Sequence, residues 1–369
     1  CMAQLVGDRI LERSPFVDII LGPRNIARFR EALEAVLQGG GPVTIRDTSE
    51  TIPEHLPVRR CPGVSAYVNI TYGCSNFCAY CVVPYARGPV VSRRPEDILR
   101  EVREAVAAGY REVTLLGQNV NSYGRDLDQR VDFADLLAMI NDVEGLWRIR
   151  FTTSHPKDCS EKLLQALARL DKVCEHLHLP LQAGDDEVLR RMGRGYTYEQ
   201  YRRIVERARE LVPEIAITTD LMVGFPGETA EQFERTLSAV REIRFDMAFM
   251  FKYNDRPGTR AASLPDKVPE PEKQRRLEEL VALQNEIALQ VNQQQLGRVF
   301  EVLVEGTDSR SPDLLRGRTR QHKVMLFAGD PALVGKLVEL EAVEAHMWGF
   351  VGRARTLDGS VEHSAAVPE

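Results

Sequence analysis

Between Ser65 and Phe251 the apolar positions alternate between two spacings. Short apolar runs over Ala66–Ile70, Glu112–Leu116, Trp147–Thr152, Cys174–Leu179, Ile215–Val223 and Phe245–Phe251 read as strands. The stretches between them read as helices. In the first, Pro95 suits the opening turn and Glu96 and Asp97 complement the positive helix end. Ile98, Leu99, Val102 and Val106 form the apolar face, and Gly109 ends the helix. Tyr198–Leu211 and Glu231–Ile243 repeat the pattern. Six such βα repeats without hairpin signals predict a parallel α/β sheet or barrel. A full eight-fold barrel takes about 250 residues and roughly 190 are present, so a partial, TIM-like (β/α)6 barrel is expected.

The flanks differ from this core. In residues 1–50 the apolar run Val17, Ile19, Ile20 and Leu21 predicts a buried strand, broken by Gly22-Pro23. Asn25 to Leu37 carries Ile26, Phe29, Leu33 and Val36 at helical spacing. This segment reads as the tail of an α/β unit, and residues 51–62, with Pro53, Pro57 and Pro62, as a linker. The barrel region then runs over 63–295 and closes with a helix carrying Leu277, Leu280, Leu283 and Ile287. Over 296–358 alternating Val299, Val302 and Val304, then Arg318 to Phe327 and Leu337 to Val343, punctuated by glycines, predict a small antiparallel β-barrel. Residues 359–369 read as a frayed tail.

Charge changes this picture little. There are 48 Lys plus Arg against 54 Asp plus Glu, a net −6, so nucleic-acid binding would need a local patch. No apolar run approaches the length of a membrane-spanning helix and no secretory leader is read, which predicts a cytoplasmic protein. The cysteines say more. Of Cys1, Cys61, Cys74, Cys78, Cys81, Cys159 and Cys174, three crowd into Cys74-Ser-Asn-Phe-Cys78-Ala-Tyr-Cys81. Three thiolates at this spacing can hold three irons of a 4Fe–4S cluster and leave the fourth open to chelate a small molecule. Structural zinc, the alternative, wants four ligands, usually as two paired half-sites, and only Cys61 lies nearby.

Cys74-x3-Cys78-x-Tyr80-Cys81, after the first strand of a six-unit βα series, resembles the radical S-adenosylmethionine (SAM) signature. Leu116-Gly117-Gln118-Asn119-Val120-Asn121-Ser122-Tyr123, Ser154-His155-Pro156, Leu179-Pro180-Leu181-Gln182, Met192-Gly193-Arg194-Gly195-Tyr196 and Gly224-Phe225-Pro226-Gly227-Glu228-Thr229 resemble segments of the radical SAM methylthiotransferases. The resemblance implies that Cys74, Cys78 and Cys81 hold a 4Fe–4S cluster that binds SAM, with Tyr80 by the adenine. It places Gly117, Gln118 and Asn119 near the SAM amino group, and Ser154, Gln182 and Arg194 on the active rim, with Arg194 suited to the SAM carboxylate. It further implies reductive cleavage of SAM to a radical, a second SAM as methyl donor, and sulfur supplied through a second 4Fe–4S cluster held by an N-terminal domain. Cys1-Met2-Ala3-Gln4 resembles the context of the third cysteine ligand of that cluster. The chain is therefore expected to carry a remnant of that domain and to lack full activity; Met2 as the true start is the plainer alternative.

The C-terminal barrel resembles the TRAM domain, an RNA-binding module. Arg310, Arg316, Arg318, Arg320 and Lys323 against Asp313 make a local +4 strip, from which Arg316, Arg318, Arg320 and Lys323 are expected to meet phosphates. Gly317 to Val324 and Arg256-Pro257-Gly258-Thr259 resemble the branch that places a methylthio group on C2 of isopentenyladenosine beside the tRNA anticodon. Asn254-Asp255 stands where that branch usually has Ser-Pro. Neighbouring branches act on threonylcarbamoyl-adenosine or on a ribosomal-protein aspartate. The expected partners are tRNA, an electron donor such as flavodoxin or ferredoxin, and sulfur and cluster supply proteins, around a monomer. A non-catalytic, zinc-stabilised RNA-binding protein is the reading from another class.

Overall fold

A computed structural model describes residues 1–48, 54 and 58–354. Half of the expected linker and all of the expected C-terminal tail lie outside them. The chain opens with α1 (Met2–Arg13), β1 (Ile19–Leu21), α2 (Phe29–Leu37) and β2 (Val43–Ile45). β1 and β2 pair in parallel across α2, a minimal β-α-β unit. The apolar stripe of α2 does not face a core. Ile26, Phe29, Leu33 and Leu37 are exposed, because a two-stranded sheet covers only the Ala32 side.

The central region carries β3 (Ser65–Asn69), β4 (Thr71–Tyr72), α3 (Val83–Arg87), β5 (Val91–Ser92), α4 (Pro95–Ala107), β6 (Glu112–Leu116), α5 (Phe133–Asn141) and β7 (Arg148–Thr152). It continues with α6 (Glu161–Arg169), β8 (His176–His178), α7 (Asp186–Met192), α8 (Tyr198–Leu211), β9 (Ala216–Val223), α9 (Ala230–Ile243) and β10 (Met247–Lys252). The order β3-β6-β7 and the order β8-β9-β10 are each parallel, and Ile149 bridges Val173 between them. The six expected strands are all present, in a partial barrel. Val68, Leu115, Ile149, Leu177, Ile217 and Leu221 point outward and are fully buried beneath the helices. The helices start where the sequence supplies caps: Asp132, Thr197 and Thr229 each close a capping box, with Asp135, Gln200 and Gln232 answering three residues on.

The concave face is polar at its N-terminal end. Ser65, Glu112 and Arg148 are in register there, and Tyr67, Thr114 and Arg150 form the next row. Arg150 pairs with Glu112 at 2.7 Å, and both side chains are under 5% exposed.

α10 (Glu270–Gln293) runs from β10 to the C-terminal barrel of β11 (Val299–Thr307), β12 (Leu315–Thr319), β13 (Val324–Phe327), β14 (Leu337–His346) and β15 (Gly349–Ala354). That barrel is closed in the order β11-β12-β13-β15-β14; four of its pairings are antiparallel, and β13 with β15 is parallel. Phe300, Val302, Met325, Phe327, Leu340 and Phe350 fill it.

The turn between β12 and β13 plugs the N-terminal end of the large sheet. Arg148 donates to the carbonyl of Arg318, and Arg150 to those of Thr319 and Arg320. Arg320 clasps Glu175 with two nitrogens and reaches the carbonyls of Asp171 and Val173. Lys323 is buried against Asp246 at 2.7 Å and against Asn292. The expected phosphate strip is corrected on this point. Arg320 and Lys323 turn inward, Arg320 onto Glu175 and the carbonyls of Asp171 and Val173, Lys323 onto Asp246 and Asn292. Arg316 and Arg318 share Glu305, at 3.7 and 3.0 Å, and of the four Arg316 keeps the largest exposed fraction.

Candidate active site on the rim of the parallel sheet

The three clustered cysteines sit on the loop that leaves β3. β4 and β5 pair antiparallel and draw its ends together. Gly73 holds the neck with φ of +72°, and a Cβ there would lie 2.0 Å from the Pro89 carbonyl, so only glycine fits. The Cys74 amide donates to the Gly88 carbonyl, and Cys81 closes a turn onto Cys78. The loop is pinned in its middle as well. The Ala79 amide donates to Met192, and the Ala79 carbonyl accepts from Ala261, so α7 and the turn after β10 grip it from two sides. The N-terminal segment leans on the same loop: α1 packs against α3, and Arg24 donates to the Pro89 carbonyl.

α7 ends in a left-handed Gly193, which turns the chain inward at Arg194. This guanidinium is 5% exposed. It lies 3.4 Å from both the Cys78 Sγ and the Tyr80 hydroxyl, and donates to Tyr196 Oη at 2.9 Å and to the Pro180 carbonyl at 3.0 Å. Burial pushes the Tyr80 phenol well above its ordinary range and raises the Cys74 and Cys81 thiols. Thus one cation, one aromatic and the cysteine loop share a half-closed corner.

Polar atoms without partners line the adjoining strand ends. Gly117 leaves β6 so close to the cysteine-loop neck that a Cβ would meet Thr71 Oγ1 at 2.2 Å. Asn119 donates to Asp158 at 2.6 Å. Among the described residues, Gln118 Oε1, Asn119 Oδ1, Ser154 Oγ and His155 Nε2 are buried and have no hydrogen-bond partner. Gln182 adopts φ of +74° and pairs through its backbone with Asp220 and Met222 of β9. Tyr80, Gly117, Gln118, Asn119, Ser154, Gln182 and Arg194 therefore all lie at or just beyond the C-terminal strand ends or on the cysteine loop.

His155 received little weight in the sequence. Its Nδ1 accepts from the Lys157 amide at 3.2 Å, so the Nε2 of the neutral ring carries the proton. Burial first, then Arg194 and Lys157, push its pKa down to about 2. Lys157 in turn donates to Asn76 on the cysteine loop at 2.9 Å. The Ser-His-Pro motif was visible in the sequence; what it faces was not. Cys1 is exposed at the head of α1, Cys61 is exposed, and Cys174 is buried beside Arg150. Among the described residues, no three Cys, His, Asp or Glu side chains converge on one point as a single metal ion requires. No described helix is long and apolar enough to cross a membrane.

Comparison with known proteins gives this site a context. The Radical SAM superfamily matches residues 68–240, and the TRAM domain residues 293–355. The tRNA-2-methylthio-N(6)-dimethylallyladenosine synthase of Carboxydothermus hydrogenoformans is 50% identical over 348 residues, 94% of this chain and 79% of the relative. The protein of the same name from Thermoanaerobacter sp. is 49% identical over 355 residues, 95% of this chain and 75% of the relative. Among solved structures, coproporphyrinogen III oxidase from Escherichia coli overlaps 69% of this chain and 66% of its own at 18% identity and a TM-score of 0.47. With half its residues shared along nearly its whole length, the chain belongs to the tRNA-2-methylthio-N(6)-dimethylallyladenosine synthase family of radical SAM enzymes.

Proposed function

We propose that this chain carries the catalytic and RNA-binding parts of an enzyme that places a methylthio group on C2 of N6-dimethylallyladenosine in tRNA. The observation that carries the reading is Arg194, buried 3.4 Å from both Cys78 and Tyr80 at the rim of the parallel sheet. Family membership favours it over a zinc-stabilised RNA-binding protein, and over the branches acting on threonylcarbamoyl-adenosine or a ribosomal protein.

The residues present fit a 4Fe–4S cluster and SAM. A single metal ion needs its ligands on one point, whereas a cubane takes each thiolate on a separate iron, so three cysteines spread along a loop suit it. Cys74, Cys78 and Cys81 would hold it. When bound, the cluster supplies the electron for reductive cleavage of SAM. Arg194 would pair the SAM carboxylate in two-point geometry, and Tyr80 would flank the adenine. Gln118, Asn119 and Ser154 present the unpartnered polar atoms that a polar ligand would satisfy, which supports their assignment to SAM. Gly117 lets the strand end approach the loop, and Gln182 lies two residues past Pro180, whose carbonyl accepts from Arg194.

Cys1 is proposed as a ligand of a second 4Fe–4S cluster, the carrier of sulfur; the packing of α1 on α3, which follows the cysteine loop, supports this. In the small barrel, Arg316 and the exposed Arg310 are the strip residues left facing outward for phosphate. An electron donor of the flavodoxin or ferredoxin kind, and proteins that supply sulfur and clusters, complete the scheme, in the cytoplasm.

The test is anaerobic reconstitution, with iron, sulfide and zinc measured per chain and methionine release from SAM followed under a chemical reductant. About four irons at the three cysteines, with matching sulfide and methionine release, support the reading. Zinc without iron, and intact SAM, would sink it.

A further inference from the structure

The concave face of β9 and β10 changes character toward its C-terminal end. Phe249 pairs in register with Asp220, and Phe251 with Met222, so these four side chains share one face. Phe249 and Phe251 are half exposed, at 49% and 51%, and Met247 behind them is 37% exposed. Leu221 and Val223, on the opposite face, are fully buried beneath the helices. An α/β sheet normally fills its concave side, so bare phenyl rings there mark a surface that expects an apolar occupant.

Its surroundings say which one. The surface adjoins the SAM corner: the Gln182 backbone lies between Asp220 and Met222, and Pro180, two residues earlier, holds Arg194. The β12–β13 turn closes the far end, where His322 stacks on His176. His178 sits between, within 3.0 Å of Thr218 and 3.5 Å of Asp220, with its ring edge-on to Phe249. The residues in register on this face of β9 and β10 are Thr218, Asp220, Met222, Met247, Phe249 and Phe251, with no cation among them. A phosphate finds no partner there, and the Asp220 carboxylate repels it. An alkyl chain on a base suits the rings, and the base's remaining N6–H suits Asp220.

Resting on the tRNA reading above, we propose that Met222, Phe249 and Phe251 form the subsite for the five-carbon dimethylallyl group of the substrate adenosine. Asp220 accepts from N6–H at its edge. Among the described residues β10 is the edge strand of its sheet, so the base enters over that edge while the RNA backbone stays outside.

The test uses the full chain and two anticodon stem-loop RNAs of one sequence, carrying either adenosine or N6-dimethylallyladenosine at the target position. Affinities are read by fluorescence anisotropy, and circular dichroism checks that each variant is folded. The native chain is expected to prefer the prenylated RNA by about tenfold or more. Phe249→Ser and Phe251→Ser should bring the two RNAs to near-equal affinity without weakening binding of the unmodified one, and Phe251→Leu should keep most of the preference. A preference unchanged in both serine variants, or absent from the native chain, overturns the subsite and leaves the tRNA reading standing. A native chain that binds neither RNA removes both.

Discussion

His176 and His322 stack with ring centroids 5.0 Å apart and planes 25° from parallel, one ring from the concave sheet and the other from the turn of the small barrel. Both are held neutral. Burial, then Arg150 and Arg318, push His322 down to about 3, and burial and His322 itself push His176 well below its usual range. Once unfolded, each ring takes a proton near pH 6.5. Their contribution to stability is therefore complete above that pH and declines as the pH falls toward about 3, at about 1.4 kcal/mol per pH unit for each ring. Denaturant midpoints should drop between pH 6.5 and 5 in the native chain, and drop less in His322→Phe.

Arg150→Ala should be among the most damaging single changes outside the cysteine loop. It leaves Glu112, 4% exposed at its side chain, without its cation, and strips the carbonyls of Thr319 and Arg320 of their donor. A broken buried pair costs about 3–5 kcal/mol. Urea unfolding checks this, and a loss under about 1 kcal/mol would contradict it.

Arg320→Glu would be expected to weaken tRNA binding if Arg320 met phosphate. The clasp on Glu175 predicts a different outcome, since the variant sets two carboxylates against each other across the junction. The small barrel should loosen, shown by limited proteolysis within residues 310–330 in the absence of RNA. Arg316→Gln, which leaves Glu305 its partner Arg318, should leave proteolysis unchanged and weaken RNA binding, with a shallower salt dependence.

Arg194→Lys keeps a positive charge but loses the fork that spans Cys78, Tyr80, Tyr196 and Pro180. SAM affinity of the reconstituted protein, by equilibrium dialysis, should fall about tenfold or more while iron content holds. Equal affinity would remove Arg194 from the carboxylate site.

Replacing Cys78 by Ala should empty the cysteine loop of iron after anaerobic reconstitution, whereas Cys159→Ala should not. Cys159 packs against the large hydrophobic core, where burial pushes its thiol up to about 12, too high to offer a thiolate. Iron retained in Cys78→Ala would move the cluster elsewhere.

Much of this architecture is written in local pattern. The six strands follow from apolar runs between capped helices, and the cysteine spacing needs no tertiary information. Lys323 and Arg320 show where such reading stops. A basic strip on a predicted strand looks like a phosphate surface because charge is visible in sequence and partners are not. Asp246 and Glu175 lie 77 and 145 residues away. His155 was hidden for a related reason: a histidine before proline reads as a loop cap, and it is one, but only its neighbours reveal the free Nε2 on its other side. The bare rings of Phe249 and Phe251 were hidden as well, since strand periodicity cannot tell a filled concave face from an open one.

The plug also governs how the chain is made. Arg148 and Arg150 find their carbonyl partners 170 residues downstream, at the very turn that seals the sheet. At a synthesis rate of about 5–20 residues per second, those partners emerge about 10–30 s after the arginines do. Through that interval a nascent sheet holds two cations in its hollow with only the Arg150–Glu112 pair to satisfy them. The polar end of the large sheet is thus completed only once the β12–β13 turn of the small barrel has been made.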